Sequence, residues 1–245
     1  MTADDTRASP TRYARLDPAL VESTLASMRA RIEVRFPGRG LGGVADELHR
    51  VLRESNDESV VRRRRERRTR VVCTVAAIAI GLSALVAIGV AVRDALDAAE
   101  GRRAFEWLPV LESGINDVGF AAVAVFFLLS VPSRVRRRRA LQALHRLRSI
   151  AHVVDMHQLT KDPERLLSDI PATELSPVVD LKPAELGRYL DNCSELLSIF
   201  GKAAALVGES STDPLVLDTV SEVETLTLGM SRKIWQKISL LHRTA

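Results

Sequence analysis

Two long apolar segments dominate the hydrophobic pattern of the chain. Residues 71–92 contain no charged side chain, and these 22 residues would extend about 33 Å as an α-helix, enough to cross the hydrocarbon core of a bilayer. Residues 118–131 are also apolar, but as a helix they would extend only about 21 Å. The second span is therefore predicted to begin near residue 108. The pattern predicts a transmembrane helical hairpin with spans at about residues 71–92 and 108–131.

Small side chains on the first span predict how it packs. Ser83, Ala87 and Ala91 recur at every fourth position, and Ala77 and Gly81 have the same spacing. Small residues on one face let two helices approach closely inside a lipid bilayer. We expect this face to contact the second span.

Amphipathic periodicity on both sides of the apolar segments predicts further helices. Apolar residues recur at intervals of three and four over residues 21–36, and a shorter helix is predicted over residues 44–55. These intervals place the apolar side chains on one face of a helix. Later helices are predicted to begin at Pro183 and Pro214, and Trp235 is expected in the core, with an interface role as the alternative. The helix before them carries an apolar stripe of Ala140, Leu144, Leu147, Ala151 and Val154.

The predicted fold class is all-α, with a two-helix transmembrane hairpin and a cytoplasmic helical bundle. An aromatic content of 4% is lower than strands normally require. Three regions follow. Residues 1–61 form an N-terminal cytoplasmic region, residues 62–139 the hairpin with its flanking arginines, and residues 140–245 a cytoplasmic helical module. The two N-terminal helices are too few to form a core by themselves.

Twelve arginines flank the apolar segments and account for the basic charge of the chain. Residues 1–61 contain 9 basic and 10 acidic residues, and residues 140–245 contain 11 and 14. Because each basic block adjoins a predicted span, the positive-inside rule explains it better than nucleic-acid binding does. The loop over residues 93–117 contains 3 basic and 6 acidic residues, so it is assigned to the outside. The membrane-orienting residues are Arg62, Arg63, Arg64, Arg65, Arg67, Arg68, Arg70, Arg134, Arg136, Arg137, Arg138 and Arg139.

Three polar residues lie at the start of the second predicted span. Glu112, Asn116 and Asp117 allow two interpretations. In the first, they lie in the outer headgroup region, where charged groups are tolerated. In the second, they face a protein-lined cavity, because ionisable groups inside a membrane often mark an ion path. A single hairpin cannot enclose a pore, so the second interpretation requires an oligomer.

A line of polar residues follows the apolar stripe of the helix after the second arginine block. His145, Arg148, His152 and Asp155 recur at intervals of three and four, so they share one helix face. The two histidines are about 10.5 Å apart along the axis and cannot bind the same metal ion. One hypothesis is a polar network that responds to pH or to a ligand. The alternative is a set of half-buried residues that hydrogen-bond to a neighbouring helix.

No catalytic motif is found in the sequence. Cys73 and Cys193 are separated by both predicted spans and suggest neither a disulfide framework nor a metal cluster. Cys193 is expected to be a small core residue. We therefore expect no enzymatic activity, no cofactor and no metal.

Three stretches in the last 100 residues carry a resemblance. LRSIAHVVDMHQLTKDPERL begins at Leu147, YLDNCSELLSIFGKAAAL at Tyr189 and SRKIWQKI at Ser231. Together they resemble a group of bacterial membrane proteins of uncharacterised function, over about residues 140–242. The resemblance implies a two-span bacterial inner-membrane protein with a helical cytoplasmic C-terminal module. It implies no activity and no functional residues.

Three functional hypotheses follow. The first is a membrane-anchored cytoplasmic interaction or scaffold module, with both termini in the cytoplasm. The second is an oligomeric channel or pore-forming effector, and the third is a histidine-based sensor or metal-binding protein. The expected partners are the lipid bilayer, including anionic lipids held by the arginines, and a second copy of the chain or another helical protein. Nucleic acid is not an expected partner.

Overall fold

The computed structural model describes residues 15–56, 60–98, 108–163, 174, 180–209 and 211–243. These residues form helices and contain no strand, so the all-α prediction is confirmed. The helices are α1 (Pro18–Arg35), α2 (Leu41–Asn56), α3 (Val60–Ala98), α4 (Leu108–Leu159), α5 (Pro183–Gly208) and α6 (Pro214–Arg243).

The chain forms two compact units. One unit, Glu58–Arg136, contains α3 and the first part of α4 and is called the apolar unit. The other combines Met1–Asp57 with Arg137–Ala245 and is called the core unit. The regions that precede and follow the apolar unit in sequence therefore belong to one compact body.

Local sequence signals set the beginnings of α1 and α6. The Asp17 carboxylate accepts a hydrogen bond from the Ala19 backbone N–H at 2.9 Å, and Pro18 is the first helical residue. Asp213 accepts from the Leu215 N–H at 3.1 Å, directly before Pro214. A capping carboxylate satisfies a backbone donor that has no partner in the first turn, and proline fits there because it has no N–H to satisfy.

The loop between α1 and α2 depends on two glycines. Gly38 and Gly40 have φ values of 70° and 78°, in the left-handed region that side chains with a Cβ rarely adopt. Gly40 also lies against α4, because a Cβ built on it would be 2.6 Å from the His157 Cε1 atom. The second glycine therefore serves both the turn and a close approach between two elements.

One hydrophobic core holds the core unit together. All five predicted apolar residues of α1, from Val21 to Phe36, are buried, and so is the predicted stripe of α4 from Leu144 to Val154. Helices α2, α5 and α6 complete the same cluster. The N-terminal helices thus find the partners that they need in a segment more than 80 residues further along the chain.

Contacts between helices show how the core unit is arranged. Helices α5 and α6 run antiparallel: Gly208 near the end of α5 lies against Val220, and the Ser194 and Ser231 hydroxyls are 2.6 Å apart. Helix α1 crosses α5 in the opposite direction. Three contacts mark this crossing: the Leu16 N–H donates to Glu209, Arg31 pairs with Glu195, and the Phe36 ring packs on Tyr189.

Two stretches of helix, Arg67–Arg93 and Gly114–Leu159, are long and apolar enough to cross a membrane. Their large apolar side chains are exposed on several faces, and examples are Val72, Leu85 and Val86 on α3 and Phe120, Val123 and Phe126 on α4.

The least exposed face of α3 differs from the predicted small-residue face. Cys73 and Ala77 are buried, and Ile80, Ala84, Ile88 and Ala91 are half-buried in the same register. Ser83, Ala87 and Gly81 are exposed. The small-residue prediction is therefore wrong for these three positions, because the covered face combines small and branched side chains.

Candidate functional site

The described membrane-orienting arginines lie mostly on exposed surface. Side chains of Arg67, Arg68, Arg70, Arg134, Arg136, Arg137 and Arg138 are exposed, and Arg139 is half-buried. Arg62, Arg63, Arg64 and Arg65 lie within α3, but their side chains are outside the described part of the structure.

Two of these arginines have contacts of different kinds. The Arg134 guanidinium lies 5.1 Å from the centre of the Phe127 ring, within the apolar unit. The Arg137 Nε atom lies 3.5 Å from a carboxylate oxygen of Asp213, within the core unit. A guanidinium over an aromatic ring combines a cation–π contact with an apolar contact, which suits the edge of an apolar segment.

Glu112, Asn116 and Asp117 lie on the first part of α4, and all three side chains are exposed. Glu112 and Asn116 are four residues apart and share a face, whereas Asp117 is turned by about 100° from Asn116. Both interpretations of these residues, headgroup region and cavity, stay open as predictions.

The predicted polar line on α4 is divided between different partners. His145 and His152 are exposed, Arg148 pairs with Glu222 of α6 at 3.5 Å, and Asp155 accepts a hydrogen bond from Gln158 at 2.6 Å. In the part of the chain that the structure describes, no hydrogen bond joins these four residues to each other. No group of three His, Cys, Asp or Glu residues among the described positions could hold a metal ion.

The strongest charged contact of this part of α4 involves Arg146, one residue after His145. Its guanidinium bonds the carboxylates of Glu47 and Glu54 on α2, the first at 2.8 Å. These two hydrogen bonds raise the pKa of Arg146. The side chain is 42% exposed, so solvent weakens the attraction and its main effect is to set where α2 lies on α4.

Described residues from three separate parts of the chain meet inside the core unit. Gln158 and Lys161 come from the first part, Tyr189 and Cys193 from the second, and Lys237 from the third. The Lys237 ammonium donates to the Gln158 carbonyl at 3.2 Å. The Lys161 ammonium lies 5.2 Å from the centre of the Tyr189 ring. We call these five residues the polar cluster.

Gln158 is buried at 2% exposure and has only part of its hydrogen-bonding capacity satisfied. Its side-chain amide N–H donates to Asp155, and its backbone carbonyl accepts from Lys237 and from the Lys161 N–H at 3.1 Å. Its side-chain oxygen has no partner among the described residues. A buried acceptor without a partner loses its hydration and receives nothing in exchange.

Tyr189 presents a second buried polar atom of this kind. The side chain is fully buried, its ring packs edge to face on Phe36 at 5.3 Å, and its hydroxyl has no partner in the described structure. Burial raises the pKa of Tyr189, and the nearby Cys193 adds to this effect. The phenol therefore stays protonated and can donate a hydrogen bond at neutral pH.

Cys193 lies one helical turn after Tyr189 and is fully buried. Burial raises the pKa of its thiol to about 12, although Lys161 and Lys237 act in the opposite direction. The thiolate is the nucleophilic form of cysteine, so a thiol with this pKa is not an activated nucleophile. The prediction that Cys193 is a small core residue is confirmed.

His157 lies beside the polar cluster and contacts the loop between α1 and α2 at Gly40. Its ring is half-buried, and burial together with the charge of Lys161 lowers its pKa. The imidazole is therefore neutral at pH 7. The ring packs against the loop between α1 and α2.

Sequence reasoning missed Gln158 and Tyr189, although a signal for Gln158 was present. Gln158 follows Ala151 and Val154 in the register of the apolar stripe, and a polar residue in such a register indicates a buried hydrogen-bonding group. Tyr189 gave no comparable signal, because a tyrosine three residues after Leu186 and directly before Leu190 suits an ordinary helical core.

Comparisons with protein families, curated proteins and solved structures find no match to this chain.

Proposed function

We propose that the protein is a two-span membrane protein whose core unit serves as a cytoplasmic interaction or scaffold module. The observation that supports this proposal most strongly is the shared core of the core unit. Residues before position 57 and after position 137 bury their apolar side chains together. They must therefore lie on the same side of any membrane that the intervening residues cross, and the number of crossings must be even. Two spans satisfy this condition.

The surface of the apolar unit supports contact with lipid. Only 11% of the apolar window of α3 is buried, and none of that of α4. Soluble proteins rarely expose apolar patches larger than a few hundred Å², and a core helix would bury most of such a window. A bilayer removes these side chains from water without a protein partner.

The two arginine blocks support a cytoplasmic position for the core unit. Both blocks lie at the ends of the apolar segments that adjoin the core unit in sequence, and basic residues next to a span favour the cytoplasmic side. Assignment to a bacterial inner membrane, and the additional role of the arginines in holding anionic lipid headgroups, belong to the same proposal.

Exposed apolar residues on α6 support an interaction role. Trp235 is 54% exposed, so the expectation that it lies in the core is wrong. Leu217 and Leu228 precede it by 18 and 7 residues, which places all three on nearly the same line along the helix. Exposed tryptophans often anchor protein interfaces. This line would receive a second copy of the chain or another helical protein.

Labelling of single cysteines in intact cells tests the topology. In a Cys73→Ala background, Glu100→Cys and Thr160→Cys are treated with a membrane-impermeant maleimide. We expect labelling at position 100 from outside and at position 160 only after permeabilisation. Cys193 provides an internal control, because a fully buried thiol should react only after unfolding. External labelling at position 160 would overturn the orientation, and recovery of the chain in the soluble fraction would overturn the membrane proposal.

Self-association of the purified protein tests the interaction role. Cross-linking in detergent should trap a defined oligomer or a complex with a co-purified helical partner. Trp235→Ala should weaken this association. Leu20→Ala on α1 is the matched control, because Leu20 is also exposed, at 62%, but lies on another helix. Ion flux in liposomes that is lost with Asp117→Asn or Glu112→Gln would favour the channel hypothesis instead.

A further inference from the structure

The polar cluster contains two buried polar atoms without a hydrogen-bond partner among the described residues. These are the Gln158 side-chain oxygen and the Tyr189 hydroxyl, in residues that are 2% and 0% exposed. Native proteins seldom leave such atoms unpaired, because each one loses its hydration. Both belong to one small region, since the Lys161 N–H bonds the Gln158 carbonyl while the Lys161 ammonium lies over the Tyr189 ring.

Two ammonium groups give this region a positive character. Lys161 and Lys237 are half-buried, and neither forms an ion pair with a carboxylate of the described residues. The carboxylates nearby are already engaged, because Asp155 accepts from Gln158 and Asp180 pairs with Arg39 at 2.7 Å. A half-buried positive region with unused hydrogen-bonding capacity favours an anion.

We propose that the polar cluster binds a small phosphate group, either inorganic phosphate or the phosphate of a monoester. The Tyr189 hydroxyl would donate to a phosphate oxygen, and Lys161 and Lys237 would supply opposite charge. The Gln158 oxygen is an acceptor only, so the ligand must offer it a donor. A phosphate monoester, whose second pKa is about 6, retains a P–OH group in part near neutral pH. Sulfate and simple carboxylates carry no such proton, so the Gln158 oxygen favours phosphate over these two classes of anion.

The loop between α1 and α2 covers this end of the core unit. Phe36 packs on the Tyr189 ring, Gly40 lies against His157, and Arg39 reaches Asp180. Entry of a ligand therefore requires this loop to open locally. An Asp180→Asn substitution would weaken the loop contact and should speed phosphate association.

Thermal unfolding of the full-length protein in a non-ionic detergent tests the proposal. Inorganic phosphate should raise the unfolding temperature, and sulfate at the same ionic strength should not. Tyr189→Phe should leave the unfolding temperature without phosphate unchanged or higher, since it removes a buried hydroxyl that has no partner among the described residues. It should weaken phosphate binding by about tenfold or more, because a hydrogen bond to a charged group typically contributes that much. If the Tyr189 hydroxyl were only structural, Tyr189→Phe would lower the unfolding temperature without phosphate and leave phosphate binding unchanged.

Further variants and probes separate the remaining outcomes. Lys237→Met should reduce phosphate binding, whereas Lys233→Met, on an exposed position of the same helix, should leave it unchanged. Phosphatidic acid in mixed micelles tests whether a lipid can supply the phosphate: a response to this lipid alone would assign a lipid headgroup, and a response to inorganic phosphate would assign a free ligand. An equal response to sulfate, or no response to either phosphate source, would overturn the proposal and leave a buried water as the partner of Gln158 and Tyr189. The test does not depend on the topology of the chain.

Discussion

Helix α4 belongs to both units, and its two parts show how the same residue types can serve opposite surroundings. In the apolar unit, Phe120 and Phe126 are 71% and 67% exposed, whereas in the core unit Leu144 and Leu147 are fully buried. The difference lies in the angular distribution of apolar residues. Over residues 118–131 the first part is apolar on all faces, which suits lipid. The second part confines its apolar residues to one stripe, which suits a protein core.

The largest expected effect is the loss of cooperative unfolding when the N-terminal helices are deleted from the core unit. A fragment of residues 137–243 lacks the 11 described buried apolar residues of α1, α2 and the loop that joins them. The free energy lost with the burial of these side chains exceeds the net stability of about 5–15 kcal/mol that is typical of a domain. We therefore expect a fragment of residues 137–243 not to unfold cooperatively, as measured by circular dichroism during heating.

Replacement of residues 58–136 by a flexible linker is the complementary deletion. Since the described residues of the apolar unit contribute nothing to the shared core, this protein should remain soluble and unfold in one cooperative transition. Cooperative unfolding of the fragment 137–243 by itself would contradict the role assigned to the N-terminal helices.

A matched pair of leucines sharpens the comparison at the level of single side chains. Leu147→Ala, at a position with no exposure, should lower the free energy of unfolding of the core unit by about 2–5 kcal/mol, as buried truncations do. Leu85→Ala, at 65% exposure in the apolar unit, should leave it unchanged. Chemical denaturation in detergent measures both. Equal effects would mean that the two units do not differ in how they use apolar residues.

A pair of glycines tests the loop that closes the core unit. Gly40→Ala should destabilise the fold by more than the roughly 1–3 kcal/mol that a strained backbone costs, since its new Cβ would also meet the His157 ring at 2.6 Å. Gly38→Ala has a similar φ but open space around it, so only the backbone strain applies. Denaturation midpoints of the two variants give the comparison, and an equal loss would show that the contact with His157 is unimportant.

The smallest expected effect is a pH dependence within the core unit. Burial and Lys161 lower the pKa of His157 from its ordinary value of 6.5, so the unfolded chain binds a proton more readily than the folded one does. Stability should therefore be constant well above pH 6.5 and fall as the pH decreases through 6.5, down to the lower pKa of the folded state. His157→Asn should reduce this slope, as measured by chemical denaturation over a series of pH values.

Several features could be predicted because they are encoded within one or two helical turns. The Asp17–Pro18 and Asp213–Pro214 pairs mark helix starts, and the α4 stripe lies in the core as its spacing indicates. The predicted His145 and His152 line was less informative. Periodicity places residues on a shared face, but it does not show which neighbour that face meets.

The sequence by itself determined the helical class, the helix starts, the buried stripes and the two apolar helices that could cross a membrane, since each depends on spacing along one segment. Only the tertiary structure showed that α1 and α2 pack on helices that follow the apolar unit in the chain. It also showed that Trp235 lies on the surface and that Gln158 and Tyr189 belong to one polar cluster. These features depend on contacts between residues far apart in the chain. Such contacts depend on how the shapes of two helix faces fit together and on which buried polar atoms find partners. The local spacing of residues along one helix contains neither kind of information.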